Sequence, residues 1–291
     1  GSPNIDFQTA FDTVSITNAS GRDLQIGNIQ TQNTTGNRSS SITLTARDKG
    51  GFNTGKLDSQ AGNTELTIDG GTGSVLLAGF VNNPLDPNAP ANDPPPVTRI
   101  SSSAGSINTT GNGRVLSDQL VLSALQGSIG NTAPLQVDVQ GSLRANALDS
   151  ITVVDTAGDL KLAALATTRT GGQISLTAAW SLLDADENTS AAVSATNLQL
   201  RALQGSIGTA GNALEVHADT LDASAQGDVV LTDLSGDLSI GQVNSSAGNI
   251  RLQTTDSAAT GENLRLATGS SVRAAAGSIS LLAGDDILAA A

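Results

Sequence analysis

Aspartates at recurring spacings are the residues of this chain that most readily suggest chemistry. Asp155 and Asp159 lie four residues apart, and Asp233 and Asp237 repeat that spacing further along the chain. Paired carboxylates serve glycosidases as acid and base or nucleophile. A catalytic pair is not expected to recur at equivalent places, whereas an aspartate that forms a turn is. We therefore interpret both pairs as turn residues and predict no catalytic residue.

A second acidic stretch has the oxygen ligands that calcium prefers. It consists of Asp184, Asp186, Glu187 and Asn188, and carboxylates and side-chain carbonyls are common calcium ligands in flexible loops. The calcium-binding pattern Gly-Gly-x-Gly-x-Asp is absent, since Gly70-Gly71-Thr72-Gly73-Ser74-Val75 lacks the Asp. The four residues are a candidate calcium site, with an unliganded, solvated loop as the alternative. We expect no other cofactor.

The sequence gives little support for nucleophilic catalysis or for thiol chemistry. His217 is the only histidine, and it has no Ser, Cys or second His partner in a recognisable motif. The chain contains no Cys, which excludes disulfides, thiolate metal sites and a thiol nucleophile. We therefore predict that the protein is not an enzyme.

The composition indicates what kind of elements hold these residues. Aromatic residues make up 2% of the 291 residues, there are 32 Gly, and the acids comprise 23 Asp and only four Glu. Asp favours turns and caps whereas Glu favours helices, so an all-β, turn-rich chain is predicted. The net charge of −13 disfavours nucleic acid and anionic membrane surfaces as partners. No apolar run is long enough to cross a bilayer.

An internal repeat organises the sequence. Residues 122–130 read Leu-Ser-Ala-Leu-Gln-Gly-Ser-Ile-Gly, and residues 200–208 read Leu-Arg-Ala-Leu-Gln-Gly-Ser-Ile-Gly. The match continues at an offset of about 78 residues, the kind of fixed period that marks a repeat architecture. A finer step of about 22 residues separates branched residues at segment starts. These residues are Ile107, Ile129, Ile151 and Ile174, and then Ile207, Val229, Ile250 and Val272.

Short alternating segments with this period favour a β-solenoid. Each period of about 22 residues holds two or three segments that are too short to be stable alone. Stacked coils would pair each segment with its counterpart about 4.8 Å away and would bury aliphatic ladders in a narrow interior. A series of β-sandwiches is the alternative, but it predicts longer strands and a buried aromatic residue in each domain.

Five regions follow from the repeat. Six of the eight prolines fall in an insertion at 82–97, which we expect to be an exposed loop because Pro cannot donate to a sheet ladder. Gly1-Ser2-Pro3 is interpreted as a remnant of cloning, and the chain as a piece of a longer protein. The predicted regions are 1–40 (first coils or cap), 41–121 (coils with the insertion), 122–199 and 200–262 (the two repeat blocks), and 263–291 (further coils with a truncated end).

The motifs Gly-Ser-Ile-Gly…Leu-x-Val, Gly-Asp-Leu-x-Ile and Gly-Asn-Ile-x-Leu are similar to a known group of repeats. They resemble the repeat regions of filamentous-haemagglutinin-like adhesins, large bacterial exoproteins exported by two-partner secretion. The resemblance covers roughly residues 40–290. It implies a right-handed parallel β-helix, an extracellular or cell-surface location, a role as an adhesive or spacer stalk, and an outer-membrane transporter as a partner.

Our functional hypothesis is a non-enzymatic stalk or adhesive segment of a large secreted or surface-anchored bacterial protein. Such a segment would space a binding tip from the cell, or would itself attach to a glycan or protein on a host, neighbouring cell or matrix. The alternative is a carbohydrate-active or carbohydrate-binding β-helix protein, such as a polysaccharide lyase or glycosidase. That alternative requires an acidic cluster that does not recur between the repeats and that lies in a groove.

Overall fold

Every regular element in the described part of the chain is a β-strand. The computed structural model describes residues 7–9, 13–31, 41–47, 50–59, 65–85, 94–186, 190–258 and 260–290, and no helix occurs among them. The strands pair in parallel. The predicted all-β class with parallel strands is therefore confirmed. The chain divides into two units, residues 1–154 and 155–291.

Unit 1 is built from short strands that each pair with the third strand further on. One series runs from β1 through β4, β7 and β10, a second from β2 through β5, β8 and β11, and a third from β3 through β6, β9 and β12. The arrangement is solenoid-like. The strands are β1 (Phe7–Thr9), β2 (Thr13–Asn18), β3 (Leu24–Ile26), β4 (Ile29–Thr31), β5 (Ser41–Ala46), β6 (Phe52–Thr54), β7 (Leu57–Ser59), β8 (Glu65–Asp69), β9 (Val75–Leu77), β10 (Phe80–Asn83), β11 (Val97–Ser102), β12 (Ile107–Thr109), β13 (Arg114–Ala124) and β14 (Leu135–Ala147).

The long strand β13 joins the first two series of unit 1. Its first half pairs with β10 and its second half with β11, and the register to β14 shifts between Ser117 and Gln119. β15 (Ser150–Asp155) lies at the boundary of the units.

Unit 2 repeats this parallel pairing with longer strands. β17, β19, β20, β22 and β24 pair in succession, and β21 pairs with β23 and then β25. The strands are β16 (Leu160–Thr167), β17 (Gln173–Ala178), β18 (Leu182–Asp184), β19 (Val193–Ala202), β20 (Leu214–Ala225), β21 (Val229–Asp233), β22 (Leu238–Ser245), β23 (Ile250–Thr254), β24 (Leu264–Ala274), β25 (Ile279–Leu282) and β26 (Ile287–Ala289).

The distance along the chain between paired residues is not uniform. Ile107 pairs with Ile129 and Ile129 with Ile151, each one predicted period further on. The step from Val81 to its partner Val115 is longer, because the proline-rich insertion lies between them. The predicted bounds of the insertion are too wide, because Asn82 and Asn83 belong to β10, Val97 belongs to β11 and Pro96 is buried. The side-chain amide of Asn83 donates to Oγ1 of Thr98 over 3.3 Å. Residues 86–93 of the insertion lie outside the described part.

The core consists of aliphatic residues that alternate along each strand. Strands such as β5 and β17 bury every second residue, and the side chains of Ile107, Ile129 and Ile151 are completely buried. Since these three residues also pair with one another, their side chains stack in one ladder. Burial of an aliphatic side chain of this size contributes about 1.5–3 kcal/mol.

The repeated Gly-Ser-Ile-Gly motif forms a tight corner. A Cβ on Gly127 would lie 2.2 Å from the Gly105 carbonyl oxygen, so only glycine fits. The amide of Ser128 donates to Oγ of Ser106 in the preceding coil over 3.1 Å, and the Ile129 side chain is buried in the core. Gly130 has φ of 70°, a left-handed conformation that favours glycine. The motif is therefore a structural requirement of the coil.

Candidate functional site

The candidate calcium loop is only partly described. Asp184 ends β18, and its Oδ1 accepts the amide N–H of Asp186 over 3.3 Å. Glu187 and Asn188 lie outside the described residues. Within the described part of the chain, no group of three or more acidic or histidine side chains could hold a metal ion. The calcium site therefore stays a prediction.

Asp184 instead interacts with Glu215, which lies in the next coil of unit 2, closely enough for each carboxyl group to affect the pKa of the other. Burial raises the pKa of both groups, and the charge of Asp184 raises the pKa of Glu215 further. Oδ2 of Asp184 and Oε2 of Glu215 are buried and accept no hydrogen bond from a donor group in the described chain. Burial and the proximity of a second carboxylate thus both favour the neutral form of these groups.

Glu215 also lines a cleft of about 660 Å³ in unit 2. The cleft includes the exposed His217, two residues further along the same strand, and Thr232, which pairs with Glu215 in the neighbouring strand. The remaining lining residues are Ser190, Ala191, Leu234 and Thr255.

The recurring aspartates divide into two structural kinds. Oδ1 of Asp159 accepts the amide of Ser181 over 2.9 Å, and Oδ1 of Asp237 accepts the amide of Asn263 over 3.1 Å, so both stabilise the next coil. Asp155 and Asp233 end strands β15 and β21 with buried side chains. The interpretation as exposed turn residues is therefore wrong for Asp155 and Asp233, because their carboxyl groups are buried in the core.

An ordered polar surface covers one side of unit 2, across four adjacent strands. We call it the polar face. One row follows the register from Ser175 to Gln199 and Asp222, and a second row follows it from Thr177 to Arg201, Ser224 and Asn244. With Gln242, these side chains line a shallow groove of about 340 Å³. The strand ladder thus spaces neighbouring side chains of a row at about 4.7–4.9 Å per strand.

Most side chains of the polar face are free to bind a ligand. Asp222 is engaged, because its Oδ1 accepts the Gln242 amide over 2.7 Å. Gln242 is engaged as well, because its Nε2 donates to the Gly269 carbonyl over 2.7 Å. The other six form no side-chain hydrogen bond or ion pair in the described part of the chain, namely Ser175, Thr177, Gln199, Arg201, Ser224 and Asn244. The face therefore offers donors, acceptors and one positive charge.

Comparison with protein-family models, with curated proteins and with solved structures found no significant match to this chain. The resemblance to adhesin repeats therefore stays a hypothesis. Among the described residues, no helix has the length and apolar character needed to cross a bilayer.

The sequence contains one signal for Glu215. Glu215 and His217 stand where the first repeat has Gln136 and Asp138. An acid thus replaces an amide in one copy of the repeat, which is a departure from the repeated pattern. The polar face had no signal of this kind, because its residues become neighbours only through the register of strands that are distant in the sequence.

Proposed function

We propose that the chain is a non-enzymatic adhesive segment of a large secreted or surface-anchored bacterial protein, and that its polar face attaches to a glycan. In this proposal the strands form a right-handed parallel β-helix with coils of about 22 residues and a super-repeat of about 78 residues. A crystal structure with left-handed coils or paired sandwiches would overturn the fold proposed here.

The regular array of free polar side chains is the observation that carries the proposal. Backbone pairing holds the four strands of the polar face in register, so the side chains keep their spacing without hydrogen bonds to one another. A polymer with regularly spaced hydroxyl groups can bond to several of them at once. Because the backbone that carries these side chains is already ordered, binding does not have to order it, which favours affinity.

The rest of the molecule supports a mechanical role. Aliphatic ladders and parallel backbone pairing stabilise the coils without any disulfide. The net charge of −13 keeps neighbouring molecules apart in solution.

A comparison of variants on and off the polar face tests the proposal. The purified chain is applied to an array of immobilised bacterial, plant and animal glycans, and calorimetry then measures the affinity for the glycans that are retained. Arg201→Ala with Asn244→Ala should lower that affinity at least tenfold, because it removes hydrogen bonds worth about 1–3 kcal/mol each. Arg251→Ala is the matched control, since Arg251 is exposed on β23 and does not line the groove. Retention of no glycan, or equal losses in both variants, would contradict the proposal.

The Glu215 cleft favours a second candidate, a carbohydrate-active protein. The cleft contains a carboxyl group that does not recur in the first repeat, with a raised pKa suited to a general acid. Release of reducing ends from acidic and neutral polysaccharides, abolished by Glu215→Gln, would favour this candidate over the first.

A further inference from the structure

The only tryptophan of the chain is exposed beside the polar face. Trp180 is 53% exposed and follows β17, three residues after Thr177 of the polar face. Leu203 is 47% exposed and follows β19, two residues after Arg201. Because Thr177 and Arg201 pair directly, the two apolar side chains follow adjacent strands at the same end of the polar rows.

The backbone holds this corner in place. The amide of Trp180 donates to the Gly158 carbonyl over 3.0 Å, and the amide of Leu203 donates to the Ala178 carbonyl over 3.0 Å. A Cβ on Gly205 would lie 2.8 Å from the carbonyl carbon of Trp180, so the two chain segments are in close contact. The backbone of Trp180 is therefore held in place, although its indole side chain is exposed.

The fold does not require an indole at this position. Trp180 has no counterpart in the second repeat, and its exposure shows that it contributes little to the core. Single exposed apolar residues are ordinary. Here, however, an exposed indole with one N–H donor follows the strand that carries Ser175 and Thr177 of the polar face. That combination of surfaces suits a ligand that is apolar on one face and polar at its rim.

We propose that Trp180 and Leu203 anchor one sugar ring of a glycan whose chain continues over the polar face. This inference rests on the proposed function and names the residues that select its ligand. A pyranose ring has an apolar face of C–H groups that can stack on the indole, and its hydroxyl groups can bond to the free side chains. A protein partner would need about 800 Å² of complementary surface on this side. Two apolar side chains are too few to form the core of such an interface.

The single tryptophan makes the inference directly testable, because all indole fluorescence comes from Trp180. The intact chain is titrated with soluble cello-, chito- and galacturonate oligosaccharides while fluorescence and heat are recorded. Stacking should shift the emission to shorter wavelength in a saturable way. Trp180→Ala should lower the affinity about tenfold, and Trp180→Phe should retain most of it, since an aromatic ring of either kind offers the stacking surface. Leu125→Ala is the control, because Leu125 is 53% exposed in unit 1 and does not belong to the polar face.

The outcomes separate this inference from the proposed function. Oligosaccharide binding seen by calorimetry, with unchanged fluorescence and an unaffected Trp180→Ala variant, overturns the anchor and leaves the glycan-binding role intact. An absence of heat and of fluorescence change with every oligosaccharide, together with retention of no glycan on the array, overturns both. Circular dichroism of each variant confirms that the strands are unchanged.

Discussion

The backbone amide of Ala218 donates a hydrogen bond of 3.0 Å to Oδ1 of Asp233, in the adjacent strand of unit 2. The Asp233 side chain is completely buried, and its Oδ2 accepts no hydrogen bond from the described residues. Burial raises the pKa of Asp233 to about 7, and the nearby charge of Asp219 acts in the same direction, whereas hydrogen bonds from the backbone amides of Ala218 and Ser235 act to lower it. A carboxyl group in this position is protonated in mildly acidic solution.

Asp233 should therefore make unit 2 less stable as the pH rises. Its pKa is about 7 in the folded chain and 3.8 in the unfolded chain, so between these values the folded state binds more protons. The stabilisation that Asp233 contributes is fully present below pH 3.8 and is lost as the pH rises through about 7. Asp233→Asn should remove this loss, which amounts to about 2–3 kcal/mol between about pH 5 and pH 8. Urea unfolding at several pH values measures this loss. If the substitution left the pH dependence of the free energy of unfolding unchanged, the raised pKa of Asp233 would be refuted.

Asp237 provides a control, because its pKa is shifted in the opposite direction to that of Asp233. Slight burial acts to raise the pKa of Asp237, but hydrogen bonds from Asn263 and Arg265 and the Arg265 charge outweigh it and lower the pKa. Its contribution is present above the unfolded pKa and is lost as the pH falls through the folded pKa. Asp237→Asn should therefore reduce stability at neutral pH and have little effect in acid, as the same unfolding series will show.

The carboxyl pair of Asp184 and Glu215 should respond to pH in the same direction as Asp233. Both pKa values are raised, chiefly by burial, so stability from the pair is lost as the pH rises through the folded pKa values. Glu215→Gln removes the repulsion between the two carboxylates and offers Asp184 an amide donor. We expect this variant to be at least as stable as the parent above neutral pH.

Removal of the Glu215 side chain separates the loss of repulsion from the gain of a donor. Glu215→Ala also removes the repulsion but offers no donor to the buried Oδ2 of Asp184, so this variant should be less stable than Glu215→Gln. Carboxyl carbon NMR titrations of the parent identify the protonated group directly, and two ordinary pKa values would contradict the pairing.

The parallel strand pairing could be predicted from the sequence because the repeat encodes it directly. Ile207, Val229 and Ile250 are spaced as one series, and they pair in that order. The prediction is wrong for Val272, because Ile250 pairs with Ile279 and Val272 pairs with Val243. The spacing of other paired residues is less regular, since Leu198 pairs with Leu221 about one period further on, whereas Leu221 pairs with Ile240 after a shorter step. The register shifts at Asp222, whose side chain binds the Gln242 amide, and no periodicity reports such a local irregularity.

The candidate sites were harder to predict than the fold. Contact between Asp184 and Glu215 depends on how the chain from 185 to 213 returns to the next coil, and loop lengths in this chain vary too much to fix that register. The sequence does not reveal the burial of Asp233, because Asp is common in exposed turns. The residue type is the same whether its surroundings keep the carboxyl group protonated or leave it solvated.

The aliphatic ladder of unit 1 should be its main source of stability. Ile129→Ala removes a completely buried side chain between two equally buried neighbours, Ile107 and Ile151. Because the rigid coils cannot close the cavity, a loss of about 2–5 kcal/mol is expected. Leu125→Ala, at an exposed side chain four residues earlier, should change stability by less than about 0.5 kcal/mol. Urea midpoints for the two variants make the comparison, and similar losses in both would argue against the ladder.

The corner glycines permit a comparison that separates backbone strain from steric contact. Gly208 and Gly236 have φ of 64° and 74°, so alanine at either position carries the left-handed penalty of about 1–2 kcal/mol. A Cβ at Gly208 would also lie 2.2 Å from the Val230 carbonyl oxygen, whereas one at Gly236 meets nothing within 4 Å. Since the Val230 carbonyl belongs to the paired β21 and cannot move without breaking the stack, Gly208→Ala should lower the free energy of unfolding by more than Gly236→Ala. Thermal and urea unfolding of both variants measure the difference, and equal losses would show that the corner of the repeat tolerates a side chain.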